Sequence, residues 1–264
     1  MQERAAMHAP AHAEAIDPDL LMTAYRAGIF PMADGRDDPE VFWVEPRMRA
    51  ILPLDGFRLS RSLARTLRRE RFTVTCNAAF GAVIAACAQA DVDRSDTWIS
   101  ERIAASYRLL HRRGEAHSIE CWTLGAAGVP ELAGGLYGVG FERVFCGESM
   151  FSRASDASKV ALCWLVAALR RSGARLLDCQ FMTPHLASLG AVEIPRDDYL
   201  ARLREAQADV VRGKAAAGVG RGDAGERRGG DLPAGFAALL ADAAAAGLAS
   251  SPGKFIAQSL TQTS

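Results

Sequence analysis

Apolar residues recur at helical spacing in several stretches of the first half of the chain. The first stretch follows Asp17 and Pro18, which suit the cap and first turn of a helix, and Leu21 and Tyr25 then share one face before Gly28. The same periodicity predicts further helices at residues 60–71, at residues 78–88 with Asn77 as the cap, and at residues 101–113 with Ser100 as the cap.

Shorter extended segments dominate the pattern after residue 114. The segment GESMFSR, residues 147–153, is predicted as a loop, and a long helix follows from Ser155 or Asp156 to Gly173. Consecutive antiparallel strands, then a helix and another strand, indicate an α+β fold rather than repeated βαβ units. The predicted strands are residues 41–44, 118–124, 131–139, 142–146 and 175–180.

The chain divides into three parts by composition. We predict a small N-terminal domain at residues 1–72 and a larger domain at residues 73–208. Residues 209–264 are rich in Ala, Gly and Arg and poor in bulky apolar groups, which predicts a largely disordered tail. Within this tail, residues 236–245 suit a short helix.

Composition and charge exclude several classes of protein. The 264 residues carry 31 Lys+Arg and 31 Asp+Glu, so the formal net charge is zero and RNA binding would require a local basic patch. No apolar run approaches the ~18–20 residues of a membrane span, and the polar N-terminus lacks a signal core, so we expect a cytoplasmic protein. Six cysteines without a CxxC pair and five histidines without ligand spacing predict neither disulfides nor a metal site.

Two polar side chains interrupt the strand LLDCQ, residues 176–180. Because side chains alternate along a strand, Asp178 and Gln180 share one face, where burial would require both to be hydrogen bonded. Composition alone favours a strand end that reaches solvent. The alternative is a catalytic pair, in which Asp178 accepts a hydrogen bond from the NH₂ group of Gln180 and leaves the amide oxygen to accept from a substrate amine.

The segment GESMFSR and the aromatic residues offer weaker candidates. Glu148 could bind a cation, or it is a surface acid balanced by Arg153. Ser149 has no neighbouring base and does not lie in a G-x-S-x-G elbow, which argues against a serine nucleophile. Most aromatic residues belong to cores, although Trp98 lies in a polar loop before a helix; the aromatic candidates are Trp43, Trp98, Phe151 and Phe181.

Basic side chains are concentrated in residues 58–71, where six arginines accompany one acid, Glu70. Several of these arginines share one arc of the predicted helix, opposite Leu63 and Leu67. Such a run is usually a solvated helix face, but in a neutral protein it is also a positive stripe that can contact phosphates. The candidate phosphate-binding residues are Arg58, Arg61, Arg65, Arg68 and Arg69.

Nine segments resemble the bacterial leucyl/phenylalanyl-tRNA–protein transferases, in the order in which that family carries them. FCGESMFSR (145–153) together with LLDCQ (176–180) is a specific combination, and the resemblance covers about residues 17–205. The turn LGAAGVPE (124–131) is longer than in the family, Val44 stands where members often carry a second Trp, and the tail has no counterpart. The other segments are AYRAGIFPM (24–32), FWVEPRMRAIL (42–52), TWIS (97–100), AHSIECW (116–122), GGLYGV (134–139), ASK (157–159) and HLASLGAVEIPRDDYL (185–200).

The resemblance implies an enzyme that moves Leu or Phe, and less efficiently Met, from aminoacyl-tRNA onto the α-amine of proteins beginning with Arg or Lys. The product is marked for degradation by the N-end rule. The implied fold is a small N-terminal domain plus a larger domain similar to the GNAT acyltransferases. Because an aminoacyl ester is already activated, the resemblance implies no ATP, metal or coenzyme. We expect a monomer without membrane attachment.

The resemblance also implies roles for the candidate residues. Gln180 would accept a hydrogen bond from the attacking amine while Asp178 polarises and positions Gln180. Glu148 would anchor the cationic end of the acceptor, and the arginine stripe would bind tRNA. The aminoacyl side chain and the terminal adenosine would be held by Trp43, Trp98, Ser149, Met150 and Phe151.

Two other functions stay open on the sequence. A GNAT N-acetyltransferase that uses acetyl-CoA would share the fold, but the chain lacks an [R/Q]-x-x-G-x-[G/A] pyrophosphate loop before the long helix. A non-catalytic RNA-binding module would require only the basic helix. Binding of CoA would indicate the first, and failure to transfer an amino acid to a peptide would indicate the second.

Overall fold

The computed structural model describes residues 14–89, 97–216 and 231–261. Its strands are β1 (Phe30–Met32), β2 (Phe42–Val44), β3 (Met48–Ile51), β4 (Thr73–Cys76), β5 (Ala116–Leu124), β6 (Pro130–Phe141), β7 (Val144–Ser152), β8 (Leu176–Gln180) and β9 (Val192–Pro195). Its helices are α1 (Pro18–Arg26), α2 (Arg61–Arg68), α3 (Phe80–Cys87), α4 (Glu101–Arg112), α5 (Ala157–Ser172), α6 (Pro184–Ser188), α7 (Arg196–Ala216), α8 (Leu232–Ala245) and α9 (Pro252–Ser259). This content is α+β, as predicted.

The described residues form one seven-stranded sheet in the order β4–β5–β6–β7–β8–β3–β9, and β1 pairs with β2 separately. Neighbours in the large sheet are antiparallel except β7 and β8, which run parallel. The parallel pairing joins Val144–Cys146 to Leu176–Asp178, although β7 continues to Ser152 and β8 to Gln180. The two strands therefore separate at their carboxyl ends, which opens the sheet there.

Helices cover both faces of the sheet and create two cores. On one face α5 is buried along most of its length, because nearly every position from Val160 to Leu169 is apolar. On the other face α1, α3 and α4 pack around Tyr25, Tyr107 and Tyr137. These tyrosines carry hydroxyl groups into an apolar environment, where buried polar atoms require hydrogen-bond partners.

Several helix boundaries confirm the sequence analysis. Asp17 caps α1, because its Oδ1 accepts from the backbone N–H of Leu20 at 2.9 Å. Ser100 caps α4 in the same way, with Oγ accepting from the N–H of Ile103 at 3.4 Å. Gly173 ends α5 with a φ of 78°, in the left-handed region that favours glycine.

The start of α3 differs from the prediction, because Asn77 does not cap it. The Asn77 side chain turns to β5, where Oδ1 accepts from the N–H of Ser118 and Nδ2 contacts Nδ1 of His117. Glu120, buried on β5, accepts instead from the backbone N–H groups of residues 78–79 at 3.3 and 3.4 Å. A cap supplied by another strand leaves no local signal in the sequence.

The segment GESMFSR also differs from the predicted loop, because all but its last residue belongs to β7. Pairing with β6 continues as far as Ser152, which lies opposite Gly134. The backbone N–H groups that a loop would leave free are therefore used largely within the sheet. Side chains, rather than free backbone groups, supply the chemistry of this segment.

Residues 231–261 form α8 and α9, where the sequence analysis predicts a largely disordered tail. Phe236 of α8 contacts Trp164 of α5, with ring centroids 5.1 Å apart. Gly235 allows this approach, because a Cβ there would collide with the carbonyl oxygen of Ala168. A few large side chains suffice to dock an alanine-rich helix, and average composition does not reveal them. Between α7 and α8 the predicted tail lies outside the described residues.

We expect Phe236→Ala to lower the free energy of unfolding by about 3 kcal/mol, because truncating a buried phenylalanine removes apolar contacts and leaves a cavity. Urea denaturation followed by circular dichroism measures this difference. Leu240→Ala is the matched control, since Leu240 is 41% exposed on the same helix and its truncation should change stability by less than about 1 kcal/mol. Equal effects of the two substitutions would contradict the docking of α8.

Strand β3 lies within the segment predicted as the N-terminal domain, residues 1–72, yet it pairs with β8 and β9 of the large sheet. Helix α2, from the same segment, packs against α5 and α9. The insertion of β3 places Arg49 beside Asp178 of β8, which matters for the site described below.

The structure also bears on membrane, disulfide and metal chemistry. Across residues 14–89, 97–216 and 231–261, no helix has both the length and the apolar composition of a membrane span. In those same residues, no three His, Cys, Asp or Glu side chains converge as metal ligands would. The six cysteines are free thiols, and Cys121, Cys146 and Cys163 are buried.

Candidate active site

A cavity of about 560 Å³ lies where β7 and β8 separate. Strand β7 lines it from Gly147 to Ser152, and β8 lines it with Leu177, Cys179 and Gln180. The volume falls within the usual range for sites that enclose a small molecule. The break in strand pairing thus creates a chamber in the middle of an otherwise continuous sheet.

A β-bulge in β7 aims Glu148 into this chamber. Gly147 lies opposite Gly138 of β6, and Ser149 lies opposite the adjacent Tyr137, so Glu148 is the extra residue between them. A bulge turns the side chain that it carries and increases the local twist. Gly138 permits the close approach of the two strands, because a Cβ there would collide with a backbone carbonyl oxygen of β7.

The carboxylate of Glu148 is buried and accepts three hydrogen bonds. Oε1 accepts from Tyr25 Oη at 2.7 Å and from Gln180 Nε2 at 2.9 Å, and Oε2 accepts from Tyr107 Oη at 2.9 Å. Burial raises the pKa of Glu148 to about 7, while the two tyrosine hydroxyl groups act in the opposite direction. All three donors are uncharged, so nothing in this group of side chains fully compensates the desolvation of the charge.

The pKa of Glu148 makes stability depend on pH. Between the ordinary pKa of 4.5 and about 7, the folded protein keeps a proton on Glu148 that the unfolded chain has released. The free energy of unfolding therefore falls as the pH rises through this window. Glu148→Gln removes this titration. The free energy of unfolding of the variant, relative to that of the wild type, should therefore rise by about 2–3 kcal/mol between about pH 5 and about pH 8. Urea denaturation across that range tests this, and a pH-independent difference would contradict it.

Gln180 completes the polar wall of the cavity from a strained backbone position. Its φ of 55° lies in the left-handed region, which is costly for a residue with a side chain and occurs preferentially at functional sites. Nε2 donates to Glu148 and not to Asp178 as predicted, since Asp178 is engaged by other donors. Among the described residues, none donates a hydrogen bond to Oε1 of Gln180, so the amide oxygen is a free acceptor.

Asp178 is fully buried and forms an ion pair with Arg49. Arg49 Nε and Nη2 donate to Oδ1 and Oδ2 at 2.9 and 2.6 Å, and Tyr199 Oη donates to Oδ2 at 3.0 Å. Oδ1 also accepts from the backbone N–H of Gln180 at 2.9 Å. Asp178 therefore holds the backbone of Gln180, and through it the direction of the amide, rather than the amide itself.

Much of the remaining lining is apolar. Aliphatic side chains from both sides of the sheet opening contribute Leu136, Met150, Leu162, Leu165 and Leu177. Aromatic side chains contribute Phe30, Trp98, Phe151 and Phe181. An apolar recess beside a few polar groups suits a ligand that carries a hydrophobic side chain next to its reacting atoms.

The structure brings most of the predicted substrate-binding residues together but leaves Trp43 apart. Trp43 is 42% exposed on β2, opposite Pro31 of β1, and it does not line the cavity. Cross-strand partners share a face, so Trp43 lies on the same face as Pro31. Phe30 and Met32, on either side of Pro31, point to the opposite face and line the cavity. The predicted residues that line the cavity are Trp98, Glu148, Ser149, Met150, Phe151 and Gln180.

The arginine stripe lies on the exposed side of α2. Its opposite side buries Leu63, Ala64 and Leu67, which confirms the two faces predicted for this helix. In the part of the chain that the structure describes, none of the five candidate arginines forms an ion pair with an acid. All five are exposed, namely Arg58, Arg61, Arg65, Arg68 and Arg69.

Sequence reasoning missed the groups that hold the two carboxylates in place. These are Tyr25 and Tyr107 at Glu148, and Arg49 and Tyr199 at Asp178. Arg49 directly precedes the apolar run that begins at Ala50. A charge in such a position is often buried and then requires a partner, which is a signal that could have revealed Arg49. Tyr137 was missed as well: it lines the cavity, and its buried Oη has no hydrogen-bond partner among the described residues.

Comparison with known families identifies the family of this chain. Residues 51–204 match the family model described as leucyl/phenylalanyl-tRNA protein transferase, and residues 14–47 match the model of its N-terminal domain. The chain belongs to this family. The resemblance inferred from the motifs is confirmed, and so is a small N-terminal domain followed by a larger one. The gap between the two models, residues 48–50, falls within β3.

Relatives that carry this family name are similar to the chain over most of its length. A leucyl/phenylalanyl-tRNA–protein transferase of Novosphingobium aromaticivorans is 64% identical over 95% of this chain and 97% of its own. The transferase of Rhizorhabdus wittichii is 61% identical over 78% of this chain and 80% of its own. The transferase of Zymomonas mobilis is 58% identical over 72% of this chain and 69% of its own. As a member of this family the protein is an aminoacyltransferase, and Glu148, Asp178 and Gln180 all lie inside the matched region.

Proposed function

We propose that this transferase moves Leu or Phe, and less efficiently Met, from aminoacyl-tRNA to the N-terminal α-amine of proteins that begin with Arg or Lys. The product carries a new peptide bond and is marked for N-end rule degradation in the cytoplasm. The observation that carries the proposal is the free amide oxygen of Gln180 beside an apolar recess of suitable size for Leu or Phe.

The chemistry needs little acid–base assistance. An α-amine has a pKa of about 7.7–8.0, so its neutral form at pH 7 costs about 1 kcal/mol, whereas a lysine ε-amine at ~10.4 costs about 4–5 kcal/mol. The amine nitrogen attacks the carbonyl carbon of the ester, and the bond between that carbon and the ribose oxygen breaks. The proton lost by the amine passes to the leaving ribose oxygen, so the reaction consumes no other reagent.

Gln180 contributes by positioning the nucleophile. Its Oε1 accepts a hydrogen bond from the amine and directs the nitrogen lone pair at the ester carbonyl, while Nε2 is held by Glu148. An amide oxygen is a weak base, so the gain comes from alignment, for which effective molarities reach roughly 10⁵ M or more. Asp178 is the positioning residue behind Gln180.

The chemistry of the cavity lining supports separate places for the two parts of the donor. The aliphatic residues contributed by α5 and by the separated strands hold the amino-acid side chain, and Trp98 and Phe151 contact the terminal adenosine. Glu148, beside Gln180, supplies negative charge toward the cationic acceptor once it is ionised above its pKa of about 7. Selection of Leu over Ile or Val then rests on the shape of the recess, which discriminates by about 1–3 kcal/mol per methyl group.

The deciding experiment incubates the protein with radiolabelled Phe-tRNA and a peptide that begins with Arg. We expect label in the peptide, and none in a matched peptide that begins with Ala. With acetyl-CoA in place of Phe-tRNA, we expect no acetylation of either peptide. Absence of label in the Arg peptide would overturn the proposal, and acetylation would indicate a GNAT N-acetyltransferase instead.

The arginine stripe should bind the phosphates of tRNA. Charge reversal of both Arg65 and Arg68 to Glu should raise the Kd for Phe-tRNA about 10-fold or more and reduce the salt dependence of binding by about two phosphate contacts. Arg112→Glu, an exposed arginine on α4 on the other face of the sheet, is the matched control. Filter binding at several salt concentrations measures both quantities. An unchanged salt dependence would indicate that α2 is a solvated surface that does not contact tRNA.

A further inference from the structure

The N-terminus of α5 reaches the cavity wall at Ser158, and the chemistry described above does not use this part of the wall. Asp156 precedes the helix without capping it, because its side chain contacts Lys159 Nζ at 3.2 Å and Thr66 Oγ1 at 3.4 Å. The positive end of the helix dipole therefore lies here. Lys159 does not line the cavity, but its ammonium group is close enough to His185 to lower the pKa of that side chain. The segment Ala-Ser-Lys at 157–159 is one of the family motifs, and no role has been assigned to it so far.

Two polar atoms of this patch have no partner within the described residues. Ser158 is 8% exposed and lines the cavity, and although its N–H donates to Ser152 Oγ, its own hydroxyl group has no partner. His185 of α6 also lines the cavity, and its Nε2 is buried without a partner. Buried polar atoms are rarely left unsatisfied, so the buried Nε2 of His185, on the same cavity wall as the unpartnered Ser158 hydroxyl group, points to a bound ligand.

The charge of this patch specifies the class of ligand. Burial and the nearby positive charge of Lys159 lower the pKa of His185, so the imidazole is neutral at pH 7 and can donate from one nitrogen. A hydroxyl group, a neutral imidazole, an ammonium group and a helix N-terminus together suit an anion. Asp156 and Lys159 form an ion pair at 3.2 Å, so a bound anion would share the ammonium group with Asp156.

We infer that Ser158, Lys159 and His185 form a subsite for the phosphodiester that precedes the terminal adenosine of the aminoacyl-tRNA. This inference rests on the proposed function, which makes aminoacyl-tRNA the donor. The aminoacyl-adenosine itself carries no anionic group, so the nearest anion of the donor is this phosphodiester.

The position of the subsite agrees with the path that the tRNA end would follow. Thr66 of α2 donates to Asp156, which joins the helix of the arginine stripe to the start of α5. The backbone N–H of Arg58 donates to the carbonyl oxygen of Leu189 at 2.9 Å, just after α6. Both elements of the subsite therefore adjoin the segment that carries the arginine stripe, residues 58–69. A single strand that leaves the stripe can reach the subsite on its way to the cavity.

The test compares three donors with one Arg-starting peptide: Phe-adenosine, which has no phosphodiester, Phe attached to the dinucleotide CpA, which has one, and Phe-tRNA. Ser158→Ala and Lys159→Gln should each lower kcat/KM about 10-fold for the CpA donor and for Phe-tRNA. Both variants should stay within about twofold of wild type for Phe-adenosine. Lys159→Arg keeps the charge and should preserve most of the preference for the CpA donor.

Lys254→Gln is the matched control, because Lys254 is an exposed lysine on a different helix, α9. Its substitution should leave transfer from all three donors unchanged. The inference is overturned if Lys159→Gln lowers kcat/KM equally for Phe-adenosine and the CpA donor, if it changes neither, or if it alters only the KM for the peptide. That last result would assign the patch to an acidic group of the acceptor. Wild-type protein that transfers from none of the donors would overturn the proposed function, and this inference with it.

Discussion

Replacing Gln180 with alanine should lower kcat/KM for transfer from Phe-tRNA by about 100-fold or more while the Kd for Phe-tRNA stays within about twofold. In the proposed function the amide oxygen aligns the attacking amine, and a displacement of about 1 Å at a reacting centre can cost about 100-fold in rate. The same proposal assigns donor affinity to the arginine stripe and the apolar recess, which this substitution leaves in place. Single-turnover kinetics measures the first quantity and filter binding the second.

Gln180→Glu separates the roles of the two ends of the amide. It keeps the shape of the side chain but replaces the NH₂ donor with an oxygen facing Glu148, so two carboxylates would compete for one site. We expect loss of transfer at pH 8 and partial recovery at lower pH, where the pair can share a proton. Gln258→Ala, an exposed glutamine on α9, should be unaffected. Full activity of Gln180→Ala would show that another group positions the amine.

The parts of this fold that the sequence predicts are those governed by neighbours in the chain. Asp17 and Ser100 cap their helices through N–H groups three residues away, and Gly173 ends α5 through its own backbone freedom. The apolar run at residues 175–180 correctly predicts strand β8, but its end is buried, whereas composition favours a strand end that reaches solvent. Local chemistry and periodicity are sufficient for features of this kind.

Contacts between distant segments explain what the sequence analysis could not predict. Arg49 and Asp178 are separated by 129 residues, and nothing near LLDCQ indicates which element supplies the cation. The bulge at Glu148 depends on the register of β7 against β6, which the local sequence does not reveal. Residues 147–153 are therefore predicted as a loop. Helix α8 gains its order from α5, because Phe236 and Gly235 dock it although its average composition is poor in large apolar groups.

Asp178→Ala should lower the free energy of unfolding by about 3–5 kcal/mol and should also abolish detectable transfer. The stability loss follows because Arg49 is 1% exposed and would be left as a buried charge without its partner. The activity loss follows because the N–H of Gln180 loses its acceptor, so its left-handed backbone is no longer held. Asp178→Asn retains an oxygen for that N–H and should keep more activity than Asp178→Ala.

The double variant Arg49→Met, Asp178→Leu separates these two effects. Removing both charges leaves no unpaired ion, and the rings of Phe30 and Tyr199, whose centroids lie 4.6 and 4.5 Å from the Arg49 guanidinium carbon, offer an apolar environment. Its stability should therefore recover to within about 1–2 kcal/mol of wild type by urea denaturation. Transfer should stay at least about 100-fold reduced, because no acceptor holds the Gln180 backbone. If transfer recovered together with stability, the ion pair would serve folding alone and Asp178 would not position Gln180.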